Sequence, residues 1–219
     1  MPRGMFFRPE MIFTELVFSV IIILLCAFIY FKTKEVYELT KHKGIGYFRN
    51  AFLFFGLAYL FRFFVALANL ADISLYFHRH YIMIISLVFT SFLSTIAILS
   101  LVFASIWKKI KTKNPHYALI LIAVVTSVLT LVFGSVYLLT LINLGLFLFA
   151  IIVTYLNHKK SKKFSQLYII YILLFVFWIF NLFNLIPNRF ISFELRTIGY
   201  MVSISIFWVI YHKVSRTLK

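Results

Sequence analysis

The chain alternates long apolar runs with short, mostly basic connections. Seven runs can be marked: Met11 to Phe31, Tyr47 to Ala71, Tyr81 to Trp107, Tyr117 to Gly134, Val136 to Leu156, Gln166 to Ile186 and Phe193 to Tyr211. A helix needs about 20 mostly apolar residues to cross the hydrocarbon region, and these runs are of that length class. The fourth and fifth are separated only by Gly134 and Ser135 and together are too long for one crossing. The glycine therefore predicts the tip of a tight hairpin. Arg3 and Arg8 precede the first run as they would a signal peptide, but the run exceeds the roughly 7–15 residues of a signal core and ends in Lys32, Thr33 and Lys34. It reads as a retained first helix. The expected fold class is an all-α membrane protein, a seven transmembrane helix bundle forming one domain over residues 1–219.

Composition agrees. Hydrophobic residues fill 63% of positions and charged residues 13%, about half the charged share of soluble domains. A chain this apolar would be all core and no surface in water, so its solvent partner is the lipid bilayer.

The net charge of +16 would suggest nucleic acid in a soluble protein. Here the basic residues sit in short clusters between spans, the pattern that orients membrane segments, so no nucleic acid partner is expected. Sixteen Lys and Arg fall on one side of the membrane, from Lys32 through the 108–113 and 159–163 clusters to Lys219. Five fall on the other side: Arg3, Arg8, Arg79, Arg189 and Arg196. With positive charge retained inside, the amino terminus is expected outside and the carboxyl terminus in the cytoplasm; the expected location is the cell membrane. Tyr30, Tyr47, Trp107, Tyr117, Tyr155, Tyr168 and Tyr211 stand near the cytoplasmic ends of the spans, where amphipathic rings prefer the headgroup level. The first cytoplasmic segment, KTKEVYELTKHKGIG, either continues the first helix beyond the bilayer and stops at Gly44 or forms a solvated basic loop. All connections are short, so no appended soluble domain is expected in this chain.

One arginine remains in the membrane. Arg62 lies 15 residues from Tyr47, and Glu15 lies 16 from Phe31. At about 1.5 Å per residue both stand roughly 23 Å above the cytoplasmic ends, so they are expected to pair. Phe55, Ala58, Tyr59, Ala66 and Asn69 recur at helical spacing around Arg62 and mix small with polar side chains, as an inward face does. Asn181 and Asn184 share a face of the sixth helix at similar depth. Glu194 opens the seventh, where Arg196, Tyr200 and Ser203 share a face and Gly199 and Ser203 form a small-xxx-small pair. Intramembrane charge is costly and normally faces a cavity or a counter-ion. Glu15, Arg62, Tyr59, Asn69, Asn181, Asn184, Glu194, Arg196 and Tyr200 are therefore the candidate lining of an outer polar cavity. Two further stripes read as interhelical glue: Ser86, Thr90, Ser94, Ala97 and Ala104 on the third helix, and Thr140, Asn143, Ala150 and Thr154 on the fifth. Arg49, on nearly the opposite face of the second helix from Arg62, is expected to snorkel to headgroup phosphates.

Catalytic and cofactor chemistry has little to work with. The six acidic residues form no close pairs to hold magnesium against a diphosphate, and hydrolase and P-loop motifs are absent. All six histidines lie at span ends or loops, with His78 and His80 in the outer loop Asp72 to His80. A membrane haem would need paired histidines inside the spans. Single Cys26 allows no disulfide within the chain. No enzyme activity, metal or cofactor is expected.

Seven spans with an outside amino terminus are similar in layout to microbial rhodopsins, to the three-plus-one-plus-three sugar carriers and to the seven-helix sensory modules that precede histidine kinases. No lysine lies in the seventh span to take retinal, and no Pro-Gln dipeptide occurs, so the likeness stops at helix count and direction. The prolines all lie at or beyond span ends, and the inner half has no polar cluster to match the outer one, so the midplane break common in carriers is not evident. Gly56 and Gly145 remain as alternative break points. The expected function is a receptor-like or sensor-like module whose outer polar cavity takes a small ligand or lipid headgroup. A cytoplasmic or membrane protein partner would receive the signal through the basic inner loops. The alternatives are a small-solute carrier and a scaffold or accessory subunit of a membrane complex.

Overall fold

A computed structural model describes residues 9–70, 76–107, 114–134, 136–158, 166–185 and 192–217. Seven α-helices follow in chain order: α1 (Pro9–Thr40), α2 (Lys43–Leu70), α3 (Tyr76–Ile106), α4 (Pro115–Phe133), α5 (Val136–His158), α6 (Gln166–Leu185) and α7 (Phe193–Thr217). All except α6 are long and apolar enough over their described residues to cross a membrane. The protein is an all-α, multi-pass membrane protein.

Helices overrun the apolar runs where the flanking sequence can still form helix. α1 continues through the basic segment to Thr40, supported on its exposed face by Lys32–Glu35 at 3.2 Å and Lys34–Glu38 at 3.7 Å. Helix is thus the correct reading of KTKEVYELT, but the stop is not Gly44. Lys41 takes the left-handed conformation (φ 51°) and its N–H donates to Tyr37 O at 2.7 Å, while Gly44 lies inside the first turn of α2. Likewise α3 starts at Tyr76, so the backbone of His78 and His80 is helical and not loop; their side chains lie outside the described residues. The α4–α5 hairpin turns at Gly134 as expected, with φ 57° and its N–H donating to Leu131 O. Ser135 lies outside the described residues.

Six helices form a closed ring in the order α1, α2, α3, α5, α6, α7, with α7 returning against α1. α4 stands outside the ring, packed mainly on α3. Its buried residues Leu119, Ala123, Thr126, Ser127 and Thr130 follow helical spacing on one stripe, and the remainder of the helix beyond His116 is exposed and mostly apolar. α3 is the opposite case, with two thirds of its apolar window buried against little more than a quarter for α4.

Lipid tails are as apolar as leucine, so packing and hydrogen bonds hold such a ring together. The centre is filled by phenylalanines from four helices. Phe55 of α2 stacks on Phe147 of α5, and Phe207 of α7 meets Phe52 of α2 and Phe177 of α6 edge-on. α3 is pinned by hydroxyls and amides: Thr95 donates to Asn143 Oδ1 at 3.3 Å, Asn143 Nδ2 donates to Ser94 at 3.1 Å, and Ser91 and Ser105 pair with Thr130 and Thr154. The glue reading of the α3 and α5 stripes therefore holds for Ser94, Asn143 and Thr154. Ser91 and Thr95, each one position after the expected Thr90 and Ser94, also bond across helices, whereas Ser86 and Thr90 are only half-buried.

The glycines divide. A Cβ on Gly56 would lie 3.3 Å from Cys26 Cβ, so this glycine lets α1 and α2 approach closely. Added at Gly145 or Gly199 it would meet nothing within 4 Å among the described residues, so the expected role of Gly199 in close packing is not realised there. Gly56 and Gly145 both lie inside unbroken helices.

Candidate functional site

The two intramembrane charges meet. Arg62 Nε donates to Glu15 Oε1 at 2.7 Å, joining α2 to α1 as expected. The pair is not sealed: the Arg62 side chain keeps 28% of its exposure and Glu15 32%. In a poorly solvated setting the attraction between the two charges offsets part of the cost of desolvating each.

Around the pair, three more polar groups are assembled from three helices. Tyr59, one turn before Arg62 on α2, is buried with its ring 5.9 Å from the guanidinium, and its hydroxyl donates to Asn181 Oδ1 at 3.1 Å. Asn181 on α6 is held in turn by its own Nδ2, which donates to Phe177 O at 2.9 Å. Tyr200 on α7 is buried and interacts with Arg62. Phe18 of α1 wedges between the two tyrosines, 5.8 Å from Tyr59 edge-on and 4.5 Å from Tyr200. Four helices, α1, α2, α6 and α7, thus converge on one charged cluster where the ring closes.

Of the nine candidate residues, Glu15, Arg62, Tyr59, Asn181 and Tyr200 are brought together. Arg196 lies one turn before Tyr200, half-buried, and bears electrostatically on it. Glu194 sits exposed in the first turn of α7. The side chains of Asn69 and Asn184 lie outside the described residues. Two buried hydroxyls of the same helices, Ser19 on α1 and Ser203 on α7, make no hydrogen bond among the described residues. Phe18 and Ser19 were not singled out in the sequence, because nothing in a Phe-Ser pair within an apolar run distinguishes a site from packing.

A protein of Archaeoglobus fulgidus, itself described as uncharacterized, is 33% identical over 220 aligned positions that cover 95% of this chain and 94% of that protein. The chain belongs to that protein's family. No known family model matches the chain, and no solved structure matches it.

Proposed function

We propose that the protein is a receptor-like or sensor-like membrane module, without catalytic chemistry of its own, that takes a small ligand or lipid headgroup at the Glu15–Arg62 cluster. One observation carries this reading: an intramembrane ion pair, backed by Tyr59, Asn181 and Tyr200, that stays about 30% exposed. The partial exposure of the pair leaves donors and acceptors within reach of a bound molecule, as full enclosure would not. α1 supplies a route to the other end of the bundle. It carries Glu15 and runs unbroken to Thr40, 25 residues later, or about 38 Å at 1.5 Å per residue. A shift at the cluster would therefore reach the basic end, where a protein partner would read it.

The test is to extract the protein with its surrounding lipid in polymer-bounded discs and identify what co-purifies by mass spectrometry. A ligand or lipid enriched over bulk membrane, and lost in Glu15→Gln and in Asn181→Ala, is the expected result. Equal lipid composition in the parent and both variants would overturn the reading. Net accumulation of a solute in sealed proteoliposomes would replace it with a carrier.

A further inference from the structure

The basic end of the bundle holds a cavity of about 450 Å³ that is separate from the Glu15–Arg62 cluster. Its walls come from four helix ends. α1 gives Tyr37 from the turns that run past its apolar span, and α2 gives Lys43, Arg49 and Asn50 from its first turns. Trp107, just past α3, and Asn114 to His116, where α4 begins, complete it. Two glycines let these walls meet. A Cβ on Gly44 would stand 2.7 Å from Trp107 Cδ1, and one on Gly46 would stand 2.9 Å from the Tyr37 ring.

The ionisable side chains of this cavity favour one sign of charge. Lys43 and Arg49 are cationic, and no carboxylate is among the described lining residues. The acids of the neighbouring α1 turns, Glu35 and Glu38, are already engaged by Lys32 and Lys34. Arg49 is fixed in place: its guanidinium lies over the rings of Tyr37 at 4.6 Å and Tyr30 at 5.5 Å, and Nε and Nη2 both donate to Asn50 Oδ1 at 3.4 and 3.3 Å. A guanidinium has five donors, so this arrangement orients Arg49 and leaves its Nη1 edge for an outside acceptor. α2 and α4 both begin here, bringing the positive ends of two helices to the cavity, and Asn114 makes no side-chain capping bond to α4. Tyr37, Tyr47 and Trp107 add amphipathic rings of the kind enriched where protein meets lipid headgroups.

We propose that this cavity binds a phosphate group, presented either by a phospholipid headgroup or by a soluble phosphate compound. A fixed guanidinium, an ammonium, two carboxamides and an uncapped helix start offer donors from several directions, which suits a tetrahedral oxyanion better than a planar carboxylate. Arg49 is the central ligand and Lys43 and Asn114 flank it.

The test uses full-length protein in dodecyl maltoside, which carries no phosphate, with Trp178→Phe and Trp208→Phe so that Trp107 alone reports the cavity. Inorganic phosphate and dioctanoyl phosphatidylglycerol are titrated separately. A saturable change in Trp107 emission is expected with at least one probe, weakened about tenfold or more by Arg49→Gln and threefold or more by Lys43→Gln with Asn114→Ala, and unchanged by Lys32→Gln. Saturation by inorganic phosphate assigns a soluble ligand; saturation by the lipid alone assigns a headgroup. The flanking pair is exposed, so that variant keeps the test open should Arg49→Gln fail to fold. No saturable change with either probe, or saturation undiminished in the flanking variant, would overturn the proposal.

Discussion

At the scale of single residues, the Glu15–Arg62 pair decides how the membrane tolerates two charges. Removing one partner leaves the other charged, or forces it to neutralise, in a site where water is scarce. Fully buried pairs cost about 3–5 kcal/mol when broken from one side; with about 30% exposure on each partner, Arg62→Leu is expected to cost less, about 2 kcal/mol. Thermal unfolding in detergent should show a clear drop for Arg62→Leu and substantial recovery when Glu15→Gln is combined with Arg62→Gln. A neutral single variant, or a double variant as unstable as the single, would show that the pair contributes nothing as a pair. Depth arithmetic from the aromatic span ends sufficed to match these two residues, because charge in an apolar run is conspicuous and helix rise is constant. The Tyr59–Asn181 bond was only half legible. Both residues were on inward faces, but which helices become neighbours in the ring is a property of packing that no single run records.

At the scale of helices, hydropathy marks the membrane and not the helix, which is why α1, α3 and α7 extend beyond their apolar runs. The α1 overrun matters most, since it brings Tyr37 over Arg49 and so builds a cavity from segments more than 60 residues apart in sequence. Sequence reading put Arg49 at the headgroup level but had no means of seeing its walls. Glycines give the sharpest test of which helix contacts are close. Gly56→Val should push α1 from α2 and lower the melting temperature, because the Cys26 side chain is already 3.3 Å from the position of a Cβ. Gly145→Ala and Gly199→Ala meet open space and should be neutral or stabilising by up to about 1 kcal/mol through helix propensity. The ranking is read from thermal melts of the three variants side by side, and a Gly199→Ala loss equal to that of Gly56→Val would show that α7 packs closely through its small residues after all.

At the scale of the whole molecule, the two polar sites lie at opposite ends of one ring, so their meaning depends on which end faces the cytoplasm. The sixteen-to-five distribution of Lys and Arg argues that the phosphate-type cavity is inside and the Glu15–Arg62 cluster is toward the outside. Cysteine scanning can test this directly, because the native Cys26 is buried at 1% exposure and is expected to be silent toward aqueous reagents. Leu39→Cys and His212→Cys place an exposed thiol at the basic end, and Ser192→Cys places one at the start of α7. In intact cells a membrane-impermeant maleimide should label Ser192→Cys, while Leu39→Cys and His212→Cys should react only after lysis. The reverse pattern would invert both assignments: the cavity around Arg49 would then face outward phosphate, and α1 would carry any signal from the basic end toward Glu15 instead of away from it. Labelling of all three in intact cells would mean that the chain inserts in both orientations, and the charge bias would then have no orienting effect here.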